Sequence, residues 1–204
     1  MSEFSSRSVL RQFELSLPGG SLFVNAHWLA ELSPYFRQVC FDERFAEANA
    51  GRVRIEGVDY ADVLAMLEYL CPDKTYMFRK RIADTNLPSL IHCCHRFQIP
   101  SLQLDLERFM ENDLLLEDCH LKAETLVGAI IEARNAHFRL SHLTCLHKKL
   151  AAHGPETVQQ AVKDIPDEVA ADVLSETGKH MQVIITPALG SSYHWNDFSM
   201  RMFF

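Results

Sequence analysis

The chain has 204 residues, 48% of them apolar and 23% charged, and carries 20 Lys and Arg against 27 Asp and Glu for a formal net charge of −7. These proportions belong to a folded globular protein and exclude a disordered one, and the length falls short of the ~250 residues of a large catalytic barrel. The acidic balance also argues against broad affinity for nucleic-acid phosphates, which needs surplus Lys and Arg on one face.

Met1 to Leu10 is polar and serine-rich, without the ~7–15 apolar residues of a secretory signal core. Nothing in the chain approaches the ~20 apolar residues of a membrane span. An intracellular protein, cytoplasmic or nuclear, is expected, with residues 1–11 as a flexible lead. Phe13-Glu-Leu-Ser-Leu17 alternates apolar and polar and meets Pro18-Gly19-Gly20, followed by Leu22, Phe23 and Val24, which predicts a hairpin. Asn25 is suited to cap a short helix bearing Trp28, Leu29 and Leu32. Ser33 and Pro34 then restart a second helix, serine as cap and proline in the first turn. Arg52 to Ile55 alternates again and predicts a third strand that pairs with the hairpin. Asp59 precedes an amphipathic helix with Tyr60, Val63, Leu64, Leu67 and Leu70 on one face, and Pro72 stops it. A polar, basic segment from Asp73 to Arg81 leads to a helix with Leu90, Ile91, Cys94 and Phe97. Ile99-Pro100 breaks that helix, because the residue before proline is pushed out of the helical region. The next carries Leu102, Leu106, Phe109 and Met110.

Beyond Asn112 the strand signals cease. Helices are predicted over 121–136 and 139–152, an antiparallel pair with Val127, Ile130 and Arg134 facing Leu143, Leu146 and Leu150, ending at Gly154-Pro155. Shorter helices follow over 156–162 and 167–176, with Gly178 as terminator. Residues 179–204 resist assignment: Val183 to Ile185 is a strand-like triplet, and Tyr193, Trp195, Phe198, Phe203 and Phe204 follow no period. Strands first and helices afterwards define an α+β domain over 12–113 with an all-α extension over 114–178.

Chemistry is sparse. The cysteines at 40, 71, 93, 94, 119 and 145 include no pair with the CxxC gap of metal and redox motifs, so they are expected as free thiols. His92-Cys93-Cys94-His95 cannot converge on one tetrahedral ion from a helix. His137, His142 and His147 advance by five residues, a rotation of ~140° per step. No metal or cofactor is therefore expected. No signature of an activated nucleophile surrounds Ser33, Cys40 or Cys119, Pro18-Gly19-Gly20 lacks the spacing of a phosphate loop, and Arg79-Lys80-Arg81 fits a solvated loop. An enzyme is not expected.

Several strings, in order, resemble the BTB/POZ domain: Leu29-Ala-Glu-Leu-Ser33-Pro34-Tyr35-Phe36, Phe45-Ala46-Glu47, Gly57-Val58-Asp59, His95-Arg96-Phe97-Gln98-Ile99 and Leu106-Glu107-Arg108-Phe109-Met110. The resemblance spans about residues 12–113 and implies a small mixed sheet wrapped by short helices. Its members are interaction modules that dimerise, and many bridge a substrate to a cullin-3 ubiquitin ligase. Carried onto this sequence, it implies a dimer face on the first helix and N-terminal strand, with Trp28, Leu29 and Leu32 as apolar candidates; Trp28 reads equally as an ordinary core residue. Phe45 and Glu47 match the hydrophobic, any, glutamate motif of cullin-binding members, although an apolar residue tucking a loop onto its own core fits Phe45 too. Cys71 stands where many members carry a cullin-facing tyrosine. Gln12 and Asn25 replace the family's aspartate and histidine, which removes a charged pocket. The helices over 121–152 are similar to the BACK-like pair that extends cullin adaptors.

The function so implied is a homodimeric substrate adaptor for a cullin-3 RING ubiquitin ligase. The alternative is a stand-alone oligomerisation scaffold, pairing with itself or other BTB proteins in transcriptional regulation, without a cullin. The short stretch before the first strand leaves no room for an N-terminal substrate-binding domain, and no propeller repeat follows. An unknown protein substrate is thus expected at the C-terminal region, the aromatic tail included, or on a heterodimeric partner, with neither nucleic acid nor membrane as a ligand.

Overall fold

The structure is a computed structural model that describes residues 3–71 and 81–189, with side chains as far as Met181. Pro72, the basic segment up to Lys80 and the aromatic tail from 190 onward lie outside the described residues.

The hairpin forms where its alternation places it. Strand β1 (Phe13–Leu17) pairs antiparallel with β2 (Gly20–Val24), Phe13 opposite Val24 and Leu17 opposite Gly20. Phe13, Leu15 and Leu17 all point into the core, as a period of two requires. Gly19 turns the chain with φ 96°, a region open to glycine at no steric cost. Strand β3 (Arg52–Arg54) joins β1 in parallel, giving the sheet order β2-β1-β3. A parallel neighbour needs a long crossover, and three short helices supply it: α1 (Ala26–Leu32), α2 (Pro34–Phe41) and α3 (Ala46–Ala50).

The caps of that crossover are those expected. Asn25 accepts from the N–H groups of His27 and Trp28 at 3.0 and 3.2 Å. Ser33 Oγ accepts from Phe36 N–H at 3.1 Å and donates to the carbonyl of Phe97, joining the α1–α2 corner to a helix 64 residues away. Helix α4 (Tyr60–Leu70) starts after Asp59, whose side chain makes no capping hydrogen bond. Helix α5 (Leu87–Phe97) runs through the core and ends on Gln98 in the left-handed region. Helix α6 (Pro100–Arg108) begins at the proline and passes into a π-helical turn, Phe109–Asp113. Leu15, Leu29, Phe36, Leu67, Ile91 and Phe97 are among the fully buried side chains at the centre.

Residues 3–11 depart from the expected flexible lead. Phe4 is buried, its carbonyl accepts from Phe23 N–H at 2.7 Å, and Arg11 lies 4.8 Å over its ring while pairing with Glu3 at 2.6 Å. An aromatic anchor near the chain start was hidden by the serines around it.

After the domain come α7 (Ala123–Asn135), α8 (Leu140–Ala151), α9 (Pro155–Ala161) and α10 (Asp167–Leu189). Val127, Ile130, Leu146 and Leu150 are buried where α7 and α8 pack. Gly178 does not terminate the last helix, and Val183 to Ile185 is not a strand: both lie within α10. A glycine in a helix interior costs only ~1 kcal/mol, and Val173 and Thr177 on the buried face outweigh it. β-Branched residues favour strands through packing on a pleated neighbour, and the sheet offers α10 none. No helix among the described residues is long and apolar enough to cross a membrane.

Candidate protein-docking surfaces

The loop between α2 and α3 is shaped by Asp42. Its carboxylate accepts from Arg44 backbone N–H at 3.1 Å and from Arg44 Nε at 2.9 Å, and its carbonyl accepts from Phe45 N–H at 2.9 Å. The Arg44 side chain, and then its backbone N–H, hold the Asp42 carboxyl down to about 2. This fixed turn delivers Phe45 in extended backbone at the cap position of α3, with the residue 40% exposed. Glu47 follows in the first turn of α3, half-buried, with no ion pair among the described residues. It borders a shallow depression shared with Ala50, Arg52 and Arg54. Cys71 lies apart in sequence at the end of α4, half-buried, its N–H donating to the Leu67 carbonyl at 2.8 Å.

On α1 the three dimer candidates separate. Trp28 and Leu32 are half-buried, Trp28 packing against the core. Leu29 is fully buried and has no surface to offer a second chain, a correction that follows from its place in the hydrophobic core. Two features escaped the sequence reasoning. His27 stacks on exposed Phe41 with centroids 4.7 Å apart. Val9 and Leu10, 91% and 74% exposed, form the tip of a tight turn closed by reciprocal backbone hydrogen bonds between Ser8 and Arg11 at 3.2 Å. The available signal was composition, since turn tips favour Gly, Asn and Asp over Val and Leu.

The thiols and histidines serve packing. Burial pushes Cys40 up to about 11 and Cys94 up to about 12, and raises Cys93 as well, so all three stay protonated and poorly nucleophilic. His92 Nδ1–H donates to Glu132 of α7 at 2.8 Å, and His142 Nε2–H of α8 donates to Glu111 of the π-turn at 2.9 Å. His147 Nδ1 is hydrogen-bonded to Thr177 Oγ1 at 2.9 Å. Among the described residues no three His, Cys, Asp or Glu side chains are grouped to hold a metal.

What this architecture offers is exposed loops on a packed core. Residues 14–114 match the BTB/POZ domain. The chain belongs to the BTB/POZ family. Curated relatives similar to it include Cytokinesis defective protein 7 of Caenorhabditis elegans, 33% identical over 111 residues, covering 53% of this chain and 38% of the relative. Kelch repeat and BTB domain-containing protein 8 of Danio rerio is 33% identical over 91 residues, 45% of this chain and 14% of that protein. Human Kelch-like protein 40 is 25% identical over 147 residues, 72% of this chain and 22% of that protein. The chain thus spans well under half the length of these relatives. A match of 147 residues is too long to lie within residues 1–114, so the last similarity continues through α7 into α8. A BTB/POZ domain is a protein-interaction module.

Proposed function

We propose that the chain is a homodimeric substrate adaptor for a cullin-3 RING ubiquitin ligase. Residues 12–113 form the BTB module and 114–178 a BACK-like extension, the remainder from 179 having no assigned role. The chain has no chemistry or cofactor of its own and works inside the cell, in cytoplasm or nucleus. The observation that supports this most is Phe45: the residue is 40% exposed and stands outside the hydrophobic core, and Glu47 two residues on has no ion pair among the described residues. An apolar side chain of that kind can fill a pocket in a partner, and the glutamate can accept hydrogen bonds that fix the segment. Continuation of the Kelch-like protein 40 match into α8 supports the extension. Trp28 and Leu32 remain the dimer candidates on α1. Cys71, in place of the usual tyrosine, favours the scaffold alternative, because it removes one expected contact with a cullin.

A pull-down with the purified cullin-3 N-terminal domain tests the proposal. Phe45→Ala should lower binding about tenfold or more, with Glu47→Ala weaker in effect and the unfolding midpoint unchanged in both. Equal binding by wild type and both variants removes the assigned site, and no binding by wild type leaves the scaffold. Light scattering on the eluted chain reads the dimer separately, and a monomer at micromolar concentration contradicts it.

A further inference from the structure

Between Cys40 and Val53, both buried, every residue of the chain is exposed or half-buried. The segment that carries Phe45 and Glu47 is therefore not held by the apolar burial that fixes the rest of the domain. Its helix, α3, has five residues, too few to be stable by themselves. The contacts that set its shape lie at its two ends.

At the front, the Asp42 carboxylate accepts from the Arg44 N–H at 3.1 Å and the Asp42 carbonyl from the Phe45 N–H at 2.9 Å, while the Phe45 carbonyl accepts from the Ala48 N–H at 3.3 Å. Both backbone groups of Phe45 are thus engaged, which leaves its side chain as the part on offer. At the back, Gly51 ends α3 in the left-handed region with φ 64°, and its carbonyl accepts from the Glu14 N–H at 3.0 Å, tying the exit of the segment to strand β1. A Cβ at Gly51 would meet no atom within 4 Å, so glycine serves the backbone turn there and not a tight fit. The ion pair of Asp42 with Arg44 is the weaker half of the front anchor. The Arg44 side chain is 85% exposed, and water and salt screen such a charge. The carboxylate bond to a backbone N–H instead fixes the path of the chain, and Asp and Asn both make it.

We infer that Asp42 and Gly51 are positioning residues, which hold Phe45 and Glu47 in docking geometry before a partner arrives. A loop ordered in advance loses less conformational freedom on binding, so removing either anchor weakens association without removing a contact. The inference deepens the cullin proposal and rests on Phe45 as the docking side chain, but the order of the segment in the free chain is measurable without a cullin.

Amide hydrogen exchange, read by NMR on the full chain alone, and affinity for the purified cullin-3 N-terminal domain test it on the same variants. Asp42→Ala should speed exchange at Arg44 and Phe45 about fivefold and weaken binding by a similar factor. Gly51→Ala should do the same within α3. Asp42→Asn and Gly51→Asn should restore both readouts, because asparagine caps the same N–H and enters the left-handed region readily. Arg44→Met should leave exchange at Phe45 unchanged. Unaltered exchange in Asp42→Ala, no rescue by asparagine, or acceleration in Arg44→Met equal to that in Asp42→Ala overturns the inference, as does faster exchange with undiminished cullin binding. A wild type that binds no cullin sinks the cullin reading alone, and faster exchange in the two alanine variants then still supports the anchors.

Discussion

The BTB domain and the helices beyond it are held by different kinds of contact. Inside the domain nearly every fully buried side chain is apolar, and among the described residues the one buried polar side chain, Ser33, acts on backbone groups, the Phe36 N–H at a helix start and the Phe97 carbonyl at a helix end. In the extension three buried polar side chains, His142, His147 and Thr177, face other elements. Backbone-directed contacts depend on local order and survive changes in neighbouring side chains. Side-chain pairs between helices fix one relative pose and make it sensitive to proton and substitution alike.

The sharpest way to break the domain side of that contrast is Phe36→Ala. Phe36 is fully buried, 5.0 Å from the ring of Phe97 and 5.1 Å from that of Tyr35. Removing an aromatic ring from such a cluster costs about 3–5 kcal/mol, and the urea midpoint of near-ultraviolet signal should fall accordingly. A loss below about 1 kcal/mol would mean the corner is not the centre of the core.

The extension should break through protons instead. Burial lowers His147 to about 4, against about 6.5 in an unfolded chain. Glu176 on α10 is the next-largest influence and opposes that shift, while His180 and Lys179 on α10 and Arg134 on α7 reinforce it. Above pH ~6.5 the ring is neutral in both states. Between ~6.5 and about 4 the unfolded chain takes up the proton and the folded one does not, so stability is lost as pH falls through that window and levels off below it. The total is on the order of 3 kcal/mol. Denaturation from pH 7 to 4 in wild type and His147→Gln isolates this group from the other histidines: the variant should show the shallower pH dependence, and parallel curves would refute the assignment.

These two regions also divide what could be read in the sequence. Asn25, Ser33-Pro34 and Ile99-Pro100 announce themselves because a cap or a proline acts on backbone groups within a few residues. The hairpin and the apolar faces of α4 to α8 follow from period alone. What stayed hidden acts at a distance: Phe4 under β2, the link from Ser33 to Phe97, and the pairs His92–Glu132 and His142–Glu111. Nothing local marks such partners. Gly178 misled for the related reason that a local stop signal yielded to packing, Val173 and Thr177 being buried before it and Met181 half-buried against the core after it. Phe45 was legible as a motif, while its exposure was a property of the Asp42–Arg44 turn that only the fold reveals. Leu29 shows the reverse, a plausible surface residue from spacing that proves fully buried.

Ser33→Ala probes whether one hydroxyl really ties the corner to α5. It removes the acceptor for Phe36 N–H and leaves the Phe97 carbonyl without its donor in a buried setting. Losing a cap and orphaning a buried carbonyl together cost about 2 kcal/mol. Hydrogen exchange should show faster opening of both α2 and the end of α5. Acceleration confined to α2 would reduce Ser33 to a simple cap.

The smallest effect is expected at the most visible charge contact of the extension. Arg134 of α7 meets Asp172 of α10 at 2.9 Å, with both side chains more than a third exposed at 37% and 60%. Water and salt screen such a pair, and ordering two long side chains offsets much of its attraction. Asp172→Asn should therefore cost no more than about 0.5 kcal/mol at physiological ionic strength, and added salt should bring wild type and variant together. Arg134 also lies near His147 and disfavours its protonation, so Arg134→Met should shift the acid transition of wild type toward higher stability between pH 4 and 6.5 even while it leaves the neutral midpoint almost unchanged. An effect at pH 7 comparable to that of Phe36→Ala would show that α10 is held by charge and not by the buried face that carries Val173 and Thr177.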